Sequence, residues 1–456
     1  MNRRFLRSLL ILALALSTLL SAVACTDGSA PEETTAAFPS DTSSGEPAET
    51  VTQAPTEGVT EAPLPTEITL PDGYDRADIV YECDDDSTVH TYKNKTADDF
   101  ASACTFYAEH GFELYASTEK NGSRFTTFVG DGPMAHIYWL KNSGELNIVI
   151  SATAAATLPP AIPEVTDGDY ACTVTQLKDN ANVNGMAYII QLKDGSYIIY
   201  DGSYTSQARK IQKFLTDNYQ GEGKPTVRAW ILTHSHNDHY PTFRAFCSKM
   251  SNSATVEHVI ISPLNEDNFT MNEEEIYLST DVHEDIAKLD GAKTVYAHTG
   301  MEFTFCNLKL EILMTPDDLY KADNHGGNFN NTSIVSRLYD ESYSALFLAD
   351  IGVEGSTLCE EIFGDYLQSD ICQASHHGVE NVPLSFYETV KASILYYPCN
   401  LWLYDQTERH WDVRRALEER DYTKEILIAG LGTYTRAWGT TFAADAPLSM
   451  PDYPSK

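Results

Sequence analysis

The chain has 456 residues, and 66 Asp and Glu against 31 Lys and Arg give a formal net charge of −35. With 42% hydrophobic and 11% aromatic residues, it holds enough apolar material for a large folded core. So acidic a surface repels phosphate backbones, and the basic residues form only short pairs such as Arg414–Arg415, which excludes bulk-charge binding of nucleic acid.

At the amino terminus Arg3, Arg4 and Arg7 precede an apolar run from Leu9 to Leu20, followed by Ser21-Ala22-Val23-Ala24-Cys25. A basic start, a short apolar stretch and small residues before a cleavage point make residues 1–24 a secretory signal. The run falls short of the ~20 residues of a membrane span. Ala-Val-Ala before Cys25 resembles a bacterial lipoprotein box. That implies lipidation of Cys25 and an exported protein, anchored in the membrane by lipid and facing outward, with an ordinary signal peptide as the alternative. Residues 25–71 then read as a disordered tether. From 26 to 71 there are nine acidic residues, seven Pro, ten Thr, no Lys or Arg and one aromatic, Phe38. Such a stretch cannot bury enough apolar surface to offset its ordering entropy.

A small α+β domain is expected over residues 75–157. Phe100, Ala103, Cys104 and Tyr107 have helical spacing within 97–109, Thr96 is placed to cap the helix and Gly111 to stop it. Strands are expected at 124–129, 136–140 and 146–152, giving a β-α-β-β-β unit. Leu158-Pro-Pro-Ala-Ile-Pro163 reads as a linker. From Cys172 onward strands and helices alternate, starting with a hairpin around Asp194-Gly195. Two runs of strands with interspersed helices suggest two sheets with helices outside, an αββα sandwich over residues 168–445, and pattern alone also allows a doubly wound sheet. Apart from Cys25 the eight cysteines are scattered with no C-x-x-C, which argues against a zinc knuckle. In an oxidising exterior Cys83 and Cys104 could bridge; otherwise they are buried thiols.

The chemistry is concentrated in Thr233-His234-Ser235-His236-Asn237-Asp238-His239, between an apolar strand and an amphipathic helix. In an extended loop, residues two apart project to one side, so His234 and His236 can grip one ion. The turn into the helix swings Asp238 and His239 toward a second. Imidazoles with a carboxylate suit zinc, and manganese or iron are also allowed.

H-x-H-x-D-H after a strand is the signature of the metallo-β-lactamase fold, which the chain resembles over roughly residues 170–445. The resemblance implies an αββα fold and two divalent ions. Asp201, in Tyr200-Asp201-Gly202, matches the family's early Asp-Gly element, whose carboxylate supports the metal site from behind. The order Asn331-Thr-Ser333, Leu348-Ala349-Asp350 and Ser375-His376-His377-Gly378 is similar to the ComEC-type branch. On that likeness Asp350 bridges both ions, His377 completes the first metal, His376 meets an anionic substrate group and His410 completes the second metal. His376 and His325 are the rivals of His377 for the first ion. The chain departs from that branch at Ala349 for Gly, Val379 for Ser, Tyr240-Pro241 for two glycines and Trp411 for Pro. It also has Asn331 at the family's third-motif histidine. His258, His283 and His298 read as structural or exposed.

The implied function is an exported dinuclear metallohydrolase acting on a phosphoester or phosphodiester, with Asp238 and His376 as the catalytic groups. Its substrate would be a small molecule or a component of the cell envelope. The alternatives are a lactone, ester or β-lactam hydrolase of the same fold and a binding lipoprotein without catalysis.

Overall fold

The computed structural model describes residues 63–456 except 166–167, 169, 180–183, 265–276, 322–328, 380–381, 410 and 453–456. The signal segment, Cys25, most of the tether, His325 and His410 therefore lie outside the described residues. The chain divides at Leu64/Pro65. All elements below lie after that division.

Six strands open it: β1 (Ile79–Glu82), β2 (Thr88–Tyr92), β3 (Glu113–Lys120), β4 (Ser123–Val129), β5 (Met134–Leu140) and β6 (Glu145–Ser151). They form one antiparallel sheet in the order β1-β2-β6-β5-β4-β3. The helix Ala97–Glu109 has the expected cap, with Thr96 and Asp99 bonded reciprocally in a capping box, and it buries Phe100, Ala103, Cys104 and Tyr107. The sheet is larger than the sequence suggests. Two strands rather than one precede the helix, and β3 was not anticipated because its residues, Glu-Leu-Tyr-Ala-Ser-Thr-Glu-Lys, are mostly exposed or half-buried and lack apolar alternation. The end of the expected tether is also ordered. Asp131 N donates to Pro65 O at 2.8 Å, Tyr107 Oη donates to Thr69 O at 3.0 Å, and Ile68 and Leu70 pack on the helix's apolar face. Composition misses this because the apolar partners come from the small domain.

The larger part has two sheets. One contains β7 (Thr173–Gln176), β8 (Ala187–Gln191), β9 (Tyr197–Asp201), β10 (Thr226–Ile231), β11 (Thr255–Val256), β12 (His258–Ile261), β13 (Lys293–Tyr296) and, from the chain's far end, β21 (Tyr434–Ala437). The other runs in sequence order: β14 (Glu302–Phe305), β15 (Leu308–Met314), β16 (Val335–Tyr339), β17 (Ser344–Phe347), β18 (Ile371–Gln373), β19 (Ile394–Tyr397) and β20 (Glu425–Ile428). Strand alternation builds three apolar layers. Ala229 and Ile231 of β10 face Leu338, Ile371 and Ile394 of the second sheet. Trp230 and Leu232 turn the other way, onto Ile211, Phe243 and Phe246 of the helices Ala208–Asn218 and Pro241–Met250. Leu395 and Tyr397 of β19 likewise face outward with Phe386 and Leu417. This is the αββα sandwich, not a doubly wound single sheet. All eight described cysteines are buried, with no disulfide among them.

The small domain is packed against the sandwich. Lys120 pairs with Glu302 at 3.2 Å and with Glu311, Lys321 reaches Asn147 Oδ1 at 3.0 Å, and Tyr138 Oη donates to Asp318 at 3.1 Å. Gly300 (φ +90°) lies so close to Phe125 that a Cβ there would overlap the ring. His136 is fully buried at this junction, donating from Nε2 to Thr299 O at 2.9 Å and accepting at Nδ1 from Thr127 Oγ1 at 2.9 Å. Burial pushes its pKa down to about 3, against the smaller opposing effect of the Thr299 carbonyl. The unfolded chain binds this proton below about pH 6.5 and the folded one does not, so stability present at neutral pH is lost as pH falls from about 6.5 toward 3. Unfolding free energy is expected to fall by roughly 2 kcal/mol between pH 6 and 4.5 on this account, and His136→Gln should remove that part of the fall.

Candidate metal centre

The site lies where the strands of both sheets end. β10 finishes at Ile231, and the following loop folds back as His239 N and Tyr240 N donate to His236 O at 3.0 and 3.1 Å. Pro241 then starts the next helix, a position where its missing N–H costs nothing. Tyr240, which stands in place of a glycine, is buried and donates to Asp285. His234 and His239 are buried, while His236 and Asp238 are partly exposed. Asp201, at the end of β9, is fully buried with a left-handed φ of 49°. Its carboxylate accepts from Thr233 N, Thr233 Oγ1 and His239 Nδ1, each at 2.7 Å.

From the second sheet, Asp350 follows β17 through Ala349, whose φ of 46° is the left-handed backbone that favours the glycine it replaces. Asp350 N donates to Ser333 Oγ at 3.2 Å, and Asn331 accepts from Gly352 N at 2.7 Å and donates to Glu354 at 2.9 Å. Asn331 and Ser333 thus hold the loop that presents Asp350, a role the sequence alone did not reveal. His376 and His377 follow β18, also both left-handed, with φ of 45° and 58°. His377 Nδ1 donates to Pro398 O at 2.7 Å.

Two donor groups result, each with its ligand atoms within 4.8 Å of one another: His234, His239 and Asp350, and Asp238, His239 and His377. His239 Nε2 is 3.2 Å from Asp350 Oδ2, and His377 Nε2 is 3.0 Å from Asp238 Oδ2 and 3.5 Å from Asp350 Oδ2. His377 therefore stands with Asp238 and His239, the pair expected at the second ion, and not in the group with His234 where the sequence put it. The ring of His236 belongs to neither group among the described residues; it lies 4.6 Å from that of His234 and 5.1 Å from Phe329. His376 sits beside His377, ring centroids 5.8 Å apart, with Nε2 3.5 Å from Asn330 Nδ2.

The donors fit a divalent ion. Asp201 fixes His239 and the Pro398 carbonyl fixes His377 through Nδ1, and Thr233 Oγ1 is 3.2 Å from His234 Nδ1, so each Nε2 is left as the lone-pair side. His234 Nε2 is buried with no hydrogen-bond partner. In the metal-free site the carboxylates hold protons on two of these rings, which an ion would have to displace. Burial pushes the His234 pKa well down, helped by the neighbouring His239 and His236. Burial also opposes charge on His239, but Asp350 and Asp201 outweigh it and hold the pKa well up. His377 is raised to about 9 by Asp350 and Asp238 against the cost of burial. Asp350 stays well below the ordinary carboxylate range because His239 and His377 overcome its burial.

Residues 182–397 match the model of the metallo-beta-lactamase superfamily. The match to a metallo-β-lactamase superfamily domain is confined to those residues. Among solved structures, this metallo-β-lactamase domain is similar to the metallo-beta-lactamase fold protein YhfI of Bacillus subtilis at 12% identity, with 58% of this chain and 99% of that one covered and a TM-score of 0.36. It is also similar to CmlA, a diiron beta-hydroxylase of Streptomyces venezuelae, at 14% identity over 60% and 46% of the two chains with a TM-score of 0.29. A third likeness is to Zn(2+)-bound PqqB of Methylobacterium extorquens, at 10% identity over 44% and 71% with a TM-score of 0.30. No curated protein matches the chain.

Because Asp201 holds His239 and the Thr233 backbone together, Asp201→Asn is expected to weaken metal affinity in this metallo-β-lactamase domain by about 10–100-fold without unfolding it. Competition with a fluorescent chelator measures this; unchanged affinity would show that Asp201 only closes a turn.

Proposed function

We propose that the protein is an exported, lipid-anchored dinuclear metallohydrolase of phosphoesters or phosphodiesters, of the ComEC-type branch. The observation that carries it is the pair of converging donor groups that share His239, with Asp350 in one and Asp238 in the other. His234, His239, Asp350, Asp238 and His377 would hold the ions, zinc first by donor chemistry, with His236 beside His234. Divalent ions so held supply Lewis-acid polarisation of the scissile group and lower the pKa of water.

The chain's own residues do the rest. Asp238 is the most exposed of the site's carboxylates, at 22%, and is placed to orient an attacking water and take its proton. His376 lies at the mouth beside His377, where it meets the charge that develops on a phosphoryl oxygen. Asp201, Asn331 and Ser333 keep the loops in register. The buried metal-ligand set speaks against a purely binding lipoprotein. Asn331, occupied in holding the Asp350 loop, favours the phosphoester reading over the lactone or β-lactam one. Export and lipidation rest on residues 1–25; among the described residues no helix is long and apolar enough to cross a membrane.

The test is elemental analysis of the purified chain with parallel assays on a nitrophenyl phosphodiester, a nitrophenyl phosphate, lactones and nitrocefin. Divalent metal with phosphodiester turnover supports the proposal. Turnover of lactones or nitrocefin alone overturns the substrate class, and a metal-free or wholly inert protein overturns the enzyme.

A further inference from the structure

Away from that centre, donors from three distant parts of the chain meet where the small domain joins the sandwich. Cys83 sits on the turn between β1 and β2, His298 two residues past β13, and Asp317 in the first turn of the helix Pro316–Tyr320. All three are buried, at 8%, 3% and 3% exposure, and their donor atoms lie within 4.8 Å of one another. His298 Nδ1 donates to Asp317 Oδ2 at 3.0 Å, and Cys83 Sγ is 3.9 Å from that same oxygen. Nδ1 is the ring nitrogen that faces the cluster; the other, Nε2, is buried with no hydrogen-bond partner. Asp85, on the Cys83 turn, is near enough for His298 to act on its charge.

We infer that Cys83, His298 and Asp317 form a second metal site, structural in role and suited to zinc. A thiolate, an imidazole and a carboxylate are each ligands zinc takes, and together they form a borderline-soft set with one coordination position left for water. Ligands around a tetrahedral zinc stand roughly 3.3–3.8 Å apart, and the two separations in the cluster, 3.0 and 3.9 Å, bracket that spacing. Binding would release the thiol proton of Cys83 and the Nδ1 proton of His298 to solvent, leaving the ring proton on Nε2, and thiolate and carboxylate would then balance the two positive charges. The ion would staple the β1–β2 hairpin of the small domain to the loops after β13 and β15. It stabilises the junction already made by His136, Tyr138 and Lys321, and has no part in hydrolysis.

The test uses the full chain, freed of metal by chelation and titrated with cobalt(II). The hydrolytic centre's ligands are histidine and aspartate, so a near-ultraviolet thiolate-to-cobalt charge-transfer band reports a cysteine site alone. The band should saturate in the wild type, persist in Asp350→Asn, vanish in Cys83→Ser and be competed away by zinc. Zinc should raise the melting temperature of Asp350→Asn, whose hydrolytic centre is short of metal, but not that of the double variant Asp350→Asn with Cys83→Ser. A wild type without the band overturns the site and leaves a buried His298–Asp317 ion pair with a thiol beside it, and a band surviving Cys83→Ser overturns it equally. Should Cys83→Ser fail to fold, Asp317→Asn decides: cobalt affinity for the thiolate site falls at least tenfold if the site exists, and an unchanged affinity overturns it.

Discussion

Asp350→Asn is expected to lower hydrolytic turnover by about 10³-fold or more and to leave the centre short of metal. Asp350 is the carboxylate within 4 Å of three imidazoles, with Oδ2 at 3.2 Å from His239, 3.5 Å from His377 and 3.8 Å from His234. It is 1% exposed, so no water can take over its charge. Asn keeps the shape and the backbone bond to Ser333 but removes the anion that balances the ions and the histidines. The readouts are kcat/KM on the best phosphodiester and metal content by mass spectrometry. A variant with wild-type rate and metal would remove Asp350 from the centre.

Arg414→Ala is expected to destabilise the fold near the site by about 2–3 kcal/mol, or roughly 5 °C in melting temperature. Arg414 is 2% exposed and projects from the helix Trp411–Glu418. Its guanidinium donates to Gly378 O at 3.0 Å, to Arg409 O at 2.5 Å and to Gln406 O. Truncation leaves three carbonyls without their donor, on residues that are half-buried or exposed, and frees Gly378, the residue after His377. Arg414→Lys keeps the charge but not the fork, so it should recover only part of the loss. Full recovery by Lys would mean that charge alone suffices, and wild-type melting of the Ala variant would remove the clamp altogether.

How much of this was legible in the sequence depended on distance along the chain. The segment 233–239 and the strand before it were readable because donors and apolar run are contiguous. Asp201, Asp350 and His377 were found through the resemblance, each at the end of a strand-like run. That His377 groups with Asp238 was not readable, since it depends on how the turn after β18, left-handed at His376 and His377, meets the loop after β10. Asn331 and Ser333 looked like motif letters and proved to be loop braces. The half-exposed β3 and the closing strand β21 carry little apolar signal, and pairing with partners far away in sequence defines them. Cys83, His298 and Asp317 are separated by more than two hundred residues end to end, so no spacing pattern could join them.

Asp201, Ser203, Ala349, His376 and His377 share one property: none is glycine, and all have positive φ. Only glycine, and less readily Asn, Asp or His, sits there without strain, and β-branched side chains are shut out. A saturation library scored for folding alone should therefore show a restricted alphabet at these five positions, even in assays blind to catalysis. Drift toward a new substrate must then pass through neighbours such as Phe329 or Asn330. The backbone decides which residues can be tried there before chemistry decides which of them work.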